Sequence, residues 1–220
     1  MCKSVETSLV TYAVSLSCVG ICLYLAGTGP SSAGVRFACM FIMAFASMQL
    51  LDAGLWWSID NRAKALNHAI TRYAIPVVLV TELLVSYFGA NRLFGWRNAY
   101  YELGLAAFVT FTLLGWWFKF CPSGAASYTA PHPSDGYLHW CGVEFNALVR
   151  MLFFAFLLAP VLLGLPASEA TIKYAITVPI LLTFFFNLDK VTFGSRWCWS
   201  SNITAVALLA CVIYLKSKPI

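Results

Sequence analysis

FACMFIMAFASMQLLDAGLWW, residues Phe37 to Trp57, decides the fold. It carries a single charge, Asp52, in a run that matches the roughly 20 residues of helix needed to cross the ~30 Å hydrocarbon layer of a bilayer. Backbone groups that face lipid must be satisfied within the segment itself, so the run reads as a helix and not a strand. Composition extends the argument to the whole chain. Of its 220 residues, 60% are hydrophobic and 10% charged, whereas a soluble domain carries about 25% charged residues. The lipid bilayer is the partner this composition implies. The net charge of +5 is scattered, without the basic stripe that nucleic-acid binding requires.

Outward from that run, the same window finds six more, at 8–27, 66–89, 98–118, 143–164, 170–188 and 201–215, with the quoted one extended to 35–58. Turn chemistry separates them: GTGPSSAG, SIDNRAKALN, GANRLFGWRN and GLPASEA. The expected fold class is therefore all-α, a polytopic transmembrane bundle of seven spans forming one domain over 1–220. The first run is as long as its successors and is taken as a retained span, not a cleaved signal peptide. With seven spans the termini lie on opposite faces. Lys3, Arg62, Lys64, Lys119, Lys190 and Arg196 fall on the N-terminal side and Arg36, Arg92, Arg97, Lys173, Lys216 and Lys218 on the other. The positive-inside rule finds no bias in that division.

Charges inside spans are costly, face the bundle interior and mark functional sites by default. Odd spans leave the N-terminal side and even spans return to it, so depth follows from chain direction. Span 2 brings Gln49 and Asp52 to that side, a turn apart on one face. Span 5 leaves it through Asn146 and Arg150, span 6 reaches it at Asn187, and Cys198 precedes span 7. These six residues are the candidate ligand-binding group. Glu82 and Glu102 fall toward the opposite face, as a local cap or second vestibule.

His68, His132 and His139 also fall on the N-terminal side, and three imidazoles could hold a zinc ion with an open position for water. His132 and His139 do not share the one-turn spacing of a helical zinc motif. The long loop KFCPSGAASYTAPHPSDGYLHWCG is read as a lid or binding element, bracketed by Cys121 and Cys141. These two would pair in an oxidising compartment, and Cys2 with Cys198 is the alternative pair. Cys18, Cys22, Cys39 and Cys211 lie inside spans as small buried hydrophobes. Trp56, Trp57, Trp116, Trp117, Trp140, Trp197 and Trp199 all fall where spans meet the N-terminal side, as an interfacial belt would. On this basis FGSRWCWSSN, residues Phe193 to Asn202, is mostly anchor, with Ser195, Cys198 and Asn202 left to face inward.

MCKSVETSL at the start, FASMQLLDAGLWW in span 2, YLHW in the loop and FGSRWCW before span 7 resemble, in that order, the landmarks of a family of multi-pass membrane proteins found in bacteria and large DNA viruses of protists. Its members begin Met-Cys-Phe-Ser and carry Gly/Ala-Ser-x-Trp-Cys before the last span. The matching positions are Cys2, Ser4, Gln49, Asp52, His139, Trp140, Ser195, Trp197 and Cys198. The family pattern has Gln-Gln and Glu where this chain has Met48-Gln49 and Asp52, and Gln-Pro where it has Glu82-Leu83. The resemblance brings no established activity and leaves the cofactor unknown, but it draws attention to the same membrane face.

Three functions fit this distribution. One is a non-catalytic protein that binds or passes a small polar or lipid-headgroup ligand through a polar vestibule on the N-terminal side. A second is an intramembrane enzyme, either a metal-dependent lipid hydrolase or a thiol enzyme using Cys2 or Cys198. The third is a structural or envelope protein whose polar residues hold helices together.

Overall fold

The structure, a computed structural model, describes residues 3–29, 32–120, 128–133, 136–140, 147–187 and 192–217, apart from the side chains at 118–120, 193–195, 197 and 198. These residues form seven helices: α1 Val5–Ala26, α2 Ala33–Asp60, α3 Lys64–Phe94, α4 Ala99–Phe120, α5 Ala147–Gly164, α6 Ala170–Asn187 and α7 Phe193–Ser217. A small antiparallel pair, β1 Ala130–Pro131 and β2 Leu138–His139, lies in the loop between α4 and α5, with Ala130 opposite His139. Over their described residues, six of the helices are long and apolar enough to cross a membrane. The chain is thus an integral, multi-pass membrane protein built as a seven-helix bundle. FGSRWCW, expected ahead of the span at 201–215, is itself helical and forms the first turns of α7, whose apolar span begins at Trp199. Nothing in it breaks a helix, and the Arg196 N–H already bonds the Thr192 carbonyl.

Local chemistry sets several helix ends. The Ser4 hydroxyl accepts from the Thr7 N–H at 3.2 Å while the Thr7 hydroxyl accepts from the Ser4 N–H at 3.1 Å, a reciprocal cap that starts α1. Ser32 makes no side-chain cap for α2. Instead Glu169, from the turn before α6, accepts a hydrogen bond from the Gly34 N–H. An acid placed there also meets the positive end of the α2 dipole. Gly95, at φ 70°, closes α3 in the left-handed conformation that glycine adopts freely.

Two prolines widen helices at useful places. Pro76 in α3 follows a π turn over Ile70–Ala74, and Pro160 in α5 opens one over Pro160–Gly164. A proline donates no hydrogen bond to the carbonyl four residues earlier and crowds it, which a wider turn relieves. The carbonyls freed near Pro160 find other donors. Tyr101 on α4 donates to the Phe156 carbonyl at 2.6 Å, and Ser86 on α3 donates to that of Leu157 at 2.7 Å. Together with the hydrogen bond from the Tyr87 hydroxyl to Glu102, these tie α4 and α5 to α3.

α2 is the central helix: 61% of its apolar window is buried, against 28–44% for the other spans. It packs on α1, α3, α6 and α7, with Phe37, Phe41, Ile42 and Phe45 fully covered. Gly89 sets the approach of α3, since a Cβ there would lie 2.9 Å from the Phe37 ring. Gly89→Val is therefore expected to lower the thermal unfolding midpoint in detergent, at a cost of about 1–3 kcal/mol for overpacking. Gly115→Ala, where nothing lies within 4 Å, is the neutral control; an equal response from both would sink the explanation.

Candidate functional site

At the N-terminal face, the end of α2 places Gln49 and Asp52 in the interior, both with no exposure. The Gln49 amide donates to the Ser201 hydroxyl of α7 at 2.5 Å. Asp52 accepts from the Trp140 indole N–H at 3.2 Å, so the loop after α4 reaches the central helix directly. Trp140 packs in a second apolar cluster with Met48, Leu55, Trp56, Ile75, Trp116 and Leu138. An acid, an amide and three tryptophans therefore share one end of the bundle.

The loop is fastened at two further points. Asn67, at the start of α3, grips Thr129 by its backbone: its side-chain oxygen accepts from the Thr129 N–H at 2.9 Å, and its NH2 donates to the Thr129 carbonyl at 3.0 Å. The same NH2 reaches the Ser58 hydroxyl at 3.0 Å, and Thr71 and Thr129 join hydroxyls at 2.8 Å. The π turn of α3 begins three residues after Asn67, opposite Gly54 of α2. Farther out, Lys3 and Arg196 each lie over the Tyr137 ring, 4.6 Å from its centroid. The N-terminal segment, the loop and α7 meet there through cation–π contacts worth about 0.5–1 kcal/mol at an exposed position.

The other expected residues are placed as follows. Asn187 accepts from Arg196 at 3.2 Å and donates to the Thr183 carbonyl at 2.8 Å, at the half-buried end of α6. Arg150 is half-buried near the start of α5. Asn146, Cys2, Cys121, Cys141 and the Cys198 side chain lie outside the described residues, and with them both alternative disulfides. Cys18, Cys22, Cys39 and Cys211 are free thiols. The Cys39 thiol of α2 donates to the Val19 carbonyl of α1 at 3.8 Å.

The three histidines do not assemble as a zinc site. His132 and His139 meet edge to face at 6.0 Å across the β1–β2 turn, while His68 packs on Tyr128 at 6.1 Å. Among the described residues no group of three His, Cys, Asp or Glu side chains could hold a metal ion. The tryptophan belt is corrected in part: Trp57, Trp117 and Trp199 are exposed, but Trp56, Trp116 and Trp140 are buried. The two glutamates do not form a joint vestibule either. Glu102 bonds Tyr87, whereas Glu82 is 1% exposed with neither carboxylate oxygen hydrogen-bonded among the described residues.

Sequence reasoning missed Asn67, Thr71, Thr129 and Ser201. Asn67 and Thr71 did carry a signal, since they are four apart on one face of an otherwise apolar helix. The partners of that face were not legible. Comparison with family models, curated proteins and solved structures finds no match to this chain.

Proposed function

We propose that the protein is a non-catalytic membrane protein that binds a small polar or lipid-headgroup ligand at its N-terminal face, beneath the α4–α5 loop. The observation that carries this reading is Asp52, an acid without exposure in the central helix, covered by a loop whose Trp140 donates to it. Ionisable groups inside spans are expensive and are kept where they act on a ligand or pathway. Trp140, bonded to Asp52, packs in one apolar cluster with Trp56 and Trp116, aromatic surface of the kind that walls ammonium groups. An ammonium-bearing headgroup is therefore the preferred ligand class. The four landmark motifs support a place in the virus and bacterial membrane-protein family they resemble. We also take α4 to cross the bilayer, giving seven spans: its Leu103, Phe111 and Leu114 present exposed apolar surface that lipid would cover.

The competing structural reading draws on the same bonds, because Gln49–Ser201 and Asp52–Trp140 also fasten helices and loop. Asp52→Asn separates the two. It keeps an acceptor for Trp140 and removes the group that could ionise against a bound cation. Protein purified in mild detergent and titrated with phosphatidylethanolamine, followed by native mass spectrometry, should bind the lipid about ten- to a hundredfold more weakly in the variant. That range corresponds to the 1.5–3 kcal/mol of a hydrogen bond to a charged group. The unfolding midpoint should hold. Equal binding by both proteins would leave Asp52 as a fastening only.

A further inference from the structure

We infer that the opposite face of the bundle carries a binding site for an anionic phospholipid, in the groove between α2 and α3. The groove has a volume of about 390 Å³ and is lined by Arg36 and Met40 of α2 and by Leu84, Phe88, Gly89 and Arg92 of α3, among others. Arg36 lies in the first turns of α2 and Arg92 in the last turn of α3, so both cations stand at the same mouth. Met40 lies one turn deeper than Arg36. On α3, Phe88 and Leu84 follow Arg92 inward over two turns, about 12 Å at the ~1.5 Å rise per residue. Gly89 forms the floor by omitting a side chain beside Phe37 and Met40. The result is a pair of guanidiniums above an apolar channel open to the lipid, the chemistry of a phosphate above an acyl chain.

Three other charges at this face are already engaged, while Arg97 and Lys216 are exposed and do not line the groove. Glu169 accepts from the Gly34 N–H, Glu102 is bonded by Tyr87, and Lys173 donates to the Leu162 carbonyl at 2.8 Å. The arginines are not. Arg92 is exposed, with no hydrogen bond or ion pair among the described residues. Arg36 reaches only the Thr28 carbonyl at 3.5 Å, and its buried Nε has no partner among the described residues. A guanidinium presents several donors that match a phosphate in bidentate fashion, and a buried unpaired Nε–H is what such an acceptor would satisfy. The site is independent of Asp52 and of the ligand proposed there.

The test is titration of the full chain in mild detergent with phosphatidylglycerol or phosphatidylcholine of matched chains, read by native mass spectrometry. The wild type should prefer phosphatidylglycerol by about thirtyfold, from two basic groups near a membrane surface. Arg36→Gln with Arg92→Gln should abolish the preference, and the pair of Lys replacements should keep most of it. Met40→Trp, which fills the channel and leaves both arginines, should also lose the lipid; it serves if the double Gln variant does not fold. No preference in the wild type, full preference in the double Gln variant, or displacement of the lipid by millimolar inorganic phosphate would each overturn the inference.

Discussion

Asn67→Leu should release the α4–α5 loop from the bundle while leaving the helices assembled. Leucine approximates asparagine in size but offers neither donor nor acceptor. Both backbone groups of Thr129 that Asn67 satisfies, next to a threonine side chain that is itself 2% exposed, would then lack partners. Each unsatisfied buried group costs about 1–3 kcal/mol, so the loop's attachment should weaken by about 2–6 kcal/mol. Hydrogen exchange is the direct readout. Amides at Thr129 and across the β1–β2 hairpin should exchange about thirtyfold faster or more, through local opening. Those of α1 and α2 should not change. Asn67→Asp, which keeps the acceptor for the Thr129 N–H but loses the donor, should fall between. Unchanged exchange in the leucine variant would mean that Asp52 and Tyr137 hold the loop without it.

Glu82→Met should raise stability, the reverse of what most buried substitutions do. Glu82 lies well inside α3, one turn before Ser86 on the same face, and Ser86 bonds the α5 backbone. Its two oxygens are buried without a hydrogen bond among the described residues. A polar group buried in that way costs about 1–3 kcal/mol in proteins, and methionine fills similar volume with no polar atom. The unfolding midpoint of the variant should therefore rise. A fall would show that the carboxyl has a partner that stabilises the native bundle, and the argument would fail. A rise would identify Glu82 as a residue kept at a cost to stability, the pattern expected where function rather than packing selects the side chain.

The two predictions differ in how much of their basis was visible in the one-dimensional chain. That Glu82 lies in the apolar part of a helix followed from sequence, because hydropathy over about 20 residues is a local property and lipid imposes helical hydrogen bonding on any such run. The same logic gave Asp52 its depth and gathered Gln49, Asn187 and the loop at one face from chain direction alone. It also misjudged where α7 begins, since a polar, Trp-rich stretch lowers hydropathy without breaking a helix.

Only the tertiary structure decided which polar groups meet. Asn67 and Thr129 are 62 residues apart, Asp52 and Trp140 88, and Gln49 and Ser201 152. No local preference encodes such pairings. Likewise Trp56 and Trp57 are neighbours at the same depth, yet one is buried and the other exposed. Depth is fixed by position along the helix axis, which the sequence carries. Facing is fixed by rotation about that axis, and here the rotation is set by the packing of α2 against α1, α3, α6 and α7.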